Sequence, residues 1–194
     1  MSGGESGNMK LRIVLIMAVI LIGLSVTLFL VSRPEPLPPT ESRPFVWSIE
    51  TDQLRRISII LPRAGLSEVW GRHEDKLWYF DESGGASDGQ IVDMDRWGGG
   101  VPLLLSGPGA ERRVTEITET QLISFGLKEP AMLIDLTLAT GETISAAAGD
   151  LTPNGKSCYV MLVGATEAFT VDYTWCKVLE GLVLDPPYSA GQEE

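Results

Sequence analysis

Apolar and polar positions divide this chain into a continuous run, a proline-punctuated gap and a long series of short alternations. Residues 13–31, from Ile13 to Val31, form an uncharged run of 19 residues set directly behind Lys10 and Arg12. At about 1.5 Å per residue such a run covers roughly the 30 Å hydrocarbon thickness of a bilayer, and it predicts a transmembrane helix. The competing reading is a cleaved signal peptide, whose apolar region is usually only about 7 to 15 residues and ends in a small-x-small site. Here the run ends Phe29-Leu30-Val31-Ser32-Arg33, and no cysteine stands near it to carry a lipid.

Five of the twelve prolines fall between Pro34 and Pro44. That spacing favours extended polyproline II and predicts a semi-rigid stalk. Beyond it the period shortens. Residues 56–61, stopped by Pro62, and residues 67–72 and 76–80, separated by His73-Glu74-Asp75, predict a strand followed by a hairpin. Residues 81–90 read as a loop, and residues 92–106 as a helix interrupted at Gly98-Gly99-Gly100 and Pro102. Thr118 or Thr120 is placed to cap a short helix running through Phe125, ended by Gly126.

Strands at 132–138, 143–148, 157–163 and 168–171, joined by turns, predict a four-strand antiparallel meander. Asp172 is placed to cap a last helix, 173–184, whose Val178, Leu179, Leu182 and Val183 make one apolar face before Pro186-Pro187. The fold class is α+β: an N-terminal transmembrane helix followed by an antiparallel-sheet-rich domain with a few short helices. The expected divisions are a cytoplasmic N-terminal tail (1–12), the transmembrane helix (13–31), the Pro-rich stalk (32–44), an extracytoplasmic α+β domain (45–185) and an acidic C-terminal tail (186–194).

Charge bears on orientation and on partners. Lys10 and Arg12 lie tight against the run, whereas Arg33 and Arg43 alternate with Glu35 and Glu41, so the N-terminus is placed in the cytoplasm and the domain outside the cell membrane. Residues 45–194 carry 11 Lys or Arg against 23 Asp or Glu, a net charge of −12. Such a surface repels nucleic acid.

Candidate chemistry is sparse. His73 is the only histidine and has no Gly-x-Ser-x-Gly or positioned cysteine to serve, so it reads as a surface residue. One histidine and two cysteines are too few for a structural zinc site. Asp81, Glu82, Asp88, Asp93 and Asp95 gather around a glycine-rich loop but miss EF-hand spacing, and read as a solvated loop. The glycines at 98–100 and 107–109 lack the setting of a phosphate loop or dinucleotide site. Cys158, on a predicted strand, and Cys176, on the last helix, are either a disulfide pinning helix to sheet or two buried thiols. The five tryptophans read as core or interface residues. No catalytic, cofactor or metal site is expected.

Phe125-Gly126-Leu127-Lys128-Glu129-Pro130, Gly141, Gly149-Asp150-x-Thr152-Pro153-x-Gly155, Tyr159-Val160 and Val171-Asp172 follow one another in an ordered spacing, with Trp78-Tyr79 and Asp93 upstream. In these residues the chain resembles the domain of unknown function 4340 family, as a short, single-anchored bacterial member. The likeness covers residues 45–185 and departs at Ala146-Ala147-Ala148 and Cys158, where branched and aromatic residues are usual. The resemblance implies an extracytoplasmic, membrane-associated protein, in some cases linked with ABC transport components, with no established catalytic residues. The expectation is a non-enzymatic single-pass envelope protein whose domain is an interaction or accessory module with a protein partner. The runner-up is a solute- or polymer-binding domain with an exposed tryptophan cleft. An enzyme using two carboxylates of the acidic loop comes third.

Overall fold

The computed structural model describes residues 15–25, 43–81, 89–97 and 100–187. The chain divides into two units, 1–42 and 43–194. In the first, residues 15–25 form a helix, α1, whose side chains are all exposed. Among the described residues no helix is long and apolar enough to cross a membrane. Of the 13–31 run, residues 13–14 and 26–31 lie outside the described residues, as do the stalk at 32–42 and the tail at 188–194.

The second unit is α+β, built on a single eight-stranded antiparallel sheet. A 3-10 turn at Thr51–Gln53 leads into β1 (Leu54–Leu61), β2 (Leu66–Arg72) and β3 (Trp78–Phe80). The helical stretch predicted at 92–106 is two short helices, α2 (Met94–Trp97) and α3 (Val101–Ser106). There follow β4 (Ala110–Val114), α4 (Glu119–Ser124), β5 (Met132–Leu138), β6 (Thr143–Leu151), β7 (Ser157–Leu162), β8 (Ala168–Asp172) and α5 (Tyr173–Leu184). The strand order is β3-β2-β1-β5-β6-β7-β8-β4. The hairpin half and the meander half therefore share one sheet, joined where β1 pairs with β5.

β4 carries no strand pattern in its sequence, because Glu111, Arg112 and Arg113 are exposed in succession. It exists because it pairs with the outer edge of β8, and residues 44–46 tie down its start through Ala110 N–H to Pro44 O (2.7 Å) and Val46 N–H to Pro108 O (3.0 Å).

Alternation decides which face is buried. Leu54, Ile57, Ile59 and Leu61 of β1 and Met132, Ile134, Leu136 and Leu138 of β5 point into one core with Val160, Phe169 and Val171, covered by Trp175, Leu179, Leu182 and Val183 of α5. Large residues sit beside small ones in register, Met132 against Ala148 and Ile134 against Ala146. Ala147 faces the opposite way and joins Leu127 and Ala168 in a second apolar patch, with Leu122 and Phe125 packed onto it.

The helix caps follow from local chemistry. Thr118 and Gln121 form a reciprocal capping box on α4, and the Asp172 carboxylate accepts from Thr174 N–H (2.7 Å) at the start of α5. The Thr174 side chain, and then its N–H, hold the Asp172 carboxyl below its ordinary pKa.

Candidate functional site

Phe125-Gly126, Glu129, Gly149-Asp150 and Tyr159 meet at one structural joint, whereas Trp78-Tyr79, Asp93, Gly141 and Val171-Asp172 lie on other elements. α4 ends at Phe125 and the chain turns at Gly126, φ +67°. A side chain at Gly149 would run into the Phe125 carbonyl, and one at Gly126 into the Asp150 carboxylate. Asp150 N–H donates to Phe125 O (2.8 Å), and the Phe125 ring stacks on Tyr159 at 4.0 Å. Arg63 closes the joint from β1's end, donating to Asp150 Oδ1 and to Glu129 O, each at 2.7 Å. In the following turn the Thr152 hydroxyl accepts from Ser157 N–H (3.2 Å), Asn154 Oδ1 accepts from Lys156 N–H (3.0 Å), and Gly155 takes φ +69°. All of this is backbone accommodation and turn chemistry; none of it presents a nucleophile with a base.

Cys158 on β7 and Cys176 on α5 are joined by a disulfide, their Cα atoms 6.7 Å apart. Beside it, Ala148 and Gly149 leave a cleft of about 280 Å³ between sheet and helix, walled by Leu61, Met132 and Tyr173 with Arg63, Lys177 and Glu180.

The remaining sequence candidates are dispersed. Asp81, its side chain 10% exposed, lies 3.3 Å from Arg56 Nε. Asp93 Oδ1 accepts from Asp95 N–H (2.9 Å) and Arg96 N–H (3.4 Å), so it caps α2. Glu82, Asp88 and Gly98-Gly99 lie outside the described residues. Among the described residues no group of three His, Cys, Asp or Glu is placed to hold a metal ion. Gly107 serves close packing, with the Phe45 ring and Trp47 O at 3.3 Å from where a Cβ would stand.

The tryptophan cleft of the runner-up reading does not form. All five tryptophans are buried: Trp70, Trp78 and Trp97 cluster with Phe80, and Trp47 meets Trp175 edge-on at 6.0 Å. Burying these large rings contributes more to the core than exposing them as platforms would allow.

A larger concavity than the cleft beside the disulfide lies under the β2–β3 turn. It is a cleft of about 560 Å³ lined by Asp52, Arg55, Arg72, His73, Glu74 and Lys76. His73 is thus at the surface but not isolated, its ring stacked on Tyr79 at 4.1 Å. Tyr79 Oη donates to Asp75 Oδ2 (2.6 Å) and Leu77 N–H to Asp75 Oδ1 (2.9 Å). The Tyr79 bond, and then the Leu77 bond, hold the Asp75 carboxyl below its ordinary pKa, and the same Asp75 contact raises the Tyr79 phenol. Asp75 is thereby engaged with its own hairpin and does not line the cleft. Nothing in the sequence singles out Arg55, Arg72 and Lys76, which come together only through strand pairing.

No family model, characterised protein or solved structure matches the chain.

Proposed function

We propose that this is a single-pass envelope protein, N-terminus in the cytoplasm, whose α+β domain stands outside the membrane as a non-enzymatic interaction or accessory module. The observation that carries the reading is the uncharged run at 13–31 behind Lys10 and Arg12. Its described part supports this: Leu15, Ile16, Met17, Val19, Leu21, Ile22 and Leu24 of α1 are each more than half exposed, a surface that water disfavours and a lipid environment would cover. The disulfide adds support, since such bonds persist in oxidising compartments. Service to an ABC-type transporter follows from the family resemblance alone.

The test is purification of the tagged full-length protein from its native membranes in mild detergent, with external protease applied beforehand to intact cells. The reading expects the protein in the carbonate-resistant membrane fraction, its domain cleaved from outside and its N-terminal tag protected, with transporter subunits recovered in stoichiometric amount. Protein released by carbonate overturns the anchor. Membrane-bound protein recovered alone overturns the accessory role.

A further inference from the structure

We infer that the cleft under the β2–β3 turn binds a phosphoryl group of a small molecule through Arg55, Arg72 and Lys76. The inference goes beyond the anchored-module reading and does not depend on it. β1 and β2 pair with Arg56 opposite Gly71, and the same register carried one residue on sets Arg55 opposite Arg72. Like charges directly across an antiparallel pair repel. The two guanidinium groups nevertheless converge on one acceptor, Asp52 O, with Arg55 Nη1 at 2.5 Å and Arg72 Nη1 at 3.5 Å.

Two backbone irregularities assemble this arrangement. The β1–β5 register shifts between Leu54 and Arg56, a bulge that re-aims Arg55 out of the regular alternation. Lys76 takes φ +67°, a left-handed conformation that favours glycine, and so brings a third cation to the rim.

The cleft holds three cations against two carboxylates, an excess of one positive charge. Arg56, Arg63, Arg96, Arg113 and Lys128 each sit within 4.0 Å of a carboxylate. Arg55, Arg72 and Lys76 have no such partner among the described residues, as is also true of Arg112, Lys156 and Lys177, but these three share one cleft. Asp52 and Glu74 line the cleft without pairing to them.

The geometry selects the ligand class. Two planar guanidinium forks and an ammonium offer more N–H groups than the two oxygens of a carboxylate can accept, whereas the oxygens and charge of a phosphoryl group match them. The wall carboxylates and the net acidic surface disfavour an extended polyanion, which leaves a small phosphorylated molecule. The cleft lies within the range of roughly 300–1,000 Å³ typical of small-molecule sites.

Calorimetric titration of the full chain in non-ionic detergent tests this, with inorganic phosphate, glycerol 3-phosphate and monomeric dihexanoyl phosphatidic acid, all with a terminal phosphoryl group, as probes. The expected result is saturable binding weakened at least about tenfold by R55Q, R72Q or K76G. R112Q, which removes an exposed cation of β4, should leave it unchanged. Preference for glycerol 3-phosphate identifies a soluble ligand and preference for the phosphatidic acid a lipid headgroup. Absence of saturable binding by all three probes, or equal weakening in R112Q, overturns the inference. A structural role for the pair is read from melting in phosphate-free buffer. R72Q, which also gives up long bonds to Asp52 O and Lys76 O, should lose the rise in Tm that phosphate produces whatever its starting Tm, whereas a lower Tm with that rise intact would overturn the assignment.

Discussion

At the scale of single residues, the tightest constraints are steric and lie at the α4–β6 joint. Gly149 faces the Phe125 carbonyl so closely that Gly149→Ala must push β6 away from α4. Thermal melts should show a loss of roughly 2–3 kcal/mol, as overpacking of a rigid site typically costs. The motif glycines were legible as positions but their purpose was not, since strand and helix approach each other only after folding. Titration is the second constraint. The folded pKa of Asp172 lies below its unfolded value, so its contribution is complete above the unfolded value and is lost as pH falls through the depressed one. Asp172→Asn, which keeps a capping oxygen, should flatten that acid limb in Tm-against-pH profiles. Tyr79 runs the other way: its raised pKa makes its contribution complete below the unfolded value and lost as pH rises through the folded one. Tyr79→Phe should remove this alkaline limb.

At the scale of elements, periodicity and punctuation carried most of the information. The β5–β8 meander and α5 stand where alternation, turns and Asp172 place them, because each is stabilised by neighbours in sequence. β4 shows the limit: with three consecutive charged residues it has no alternation to read, and it is a strand only because β8 offers an edge. The disulfide reinforces the element boundary it crosses. It closes a separation of 18 residues between β7 and α5, so Cys158→Ala/Cys176→Ala should cost about 3 kcal/mol, measured by denaturant unfolding of both proteins under identical conditions. Thr118→Ala should cost about 1 kcal/mol through loss of the capping box on α4, read in the same experiment.

At the scale of the whole molecule, the core of the domain, among the described residues, draws on residues from Val46 to Val183. A chain starting at residue 43, which retains the Pro44 and Val46 backbone bonds to residues 108–110, should keep cooperative unfolding and the Tm of the full-length domain by circular dichroism. Loss of cooperativity would show that the N-terminal unit contributes to folding. By itself the sequence determined what local physics controls: the apolar run and its flanking charges, the proline-rich gap, the α+β class, the meander, the capped helices and the acidic balance. Tertiary structure alone decided that two hairpin-rich halves share one sheet through β1 and β5, that β4 closes its far edge, and that the tryptophans face inward. It also decided that Arg55, Arg72 and Lys76 stand together. Pairing between strands distant in sequence sets these outcomes, and register, unlike periodicity, is a property of two segments at once.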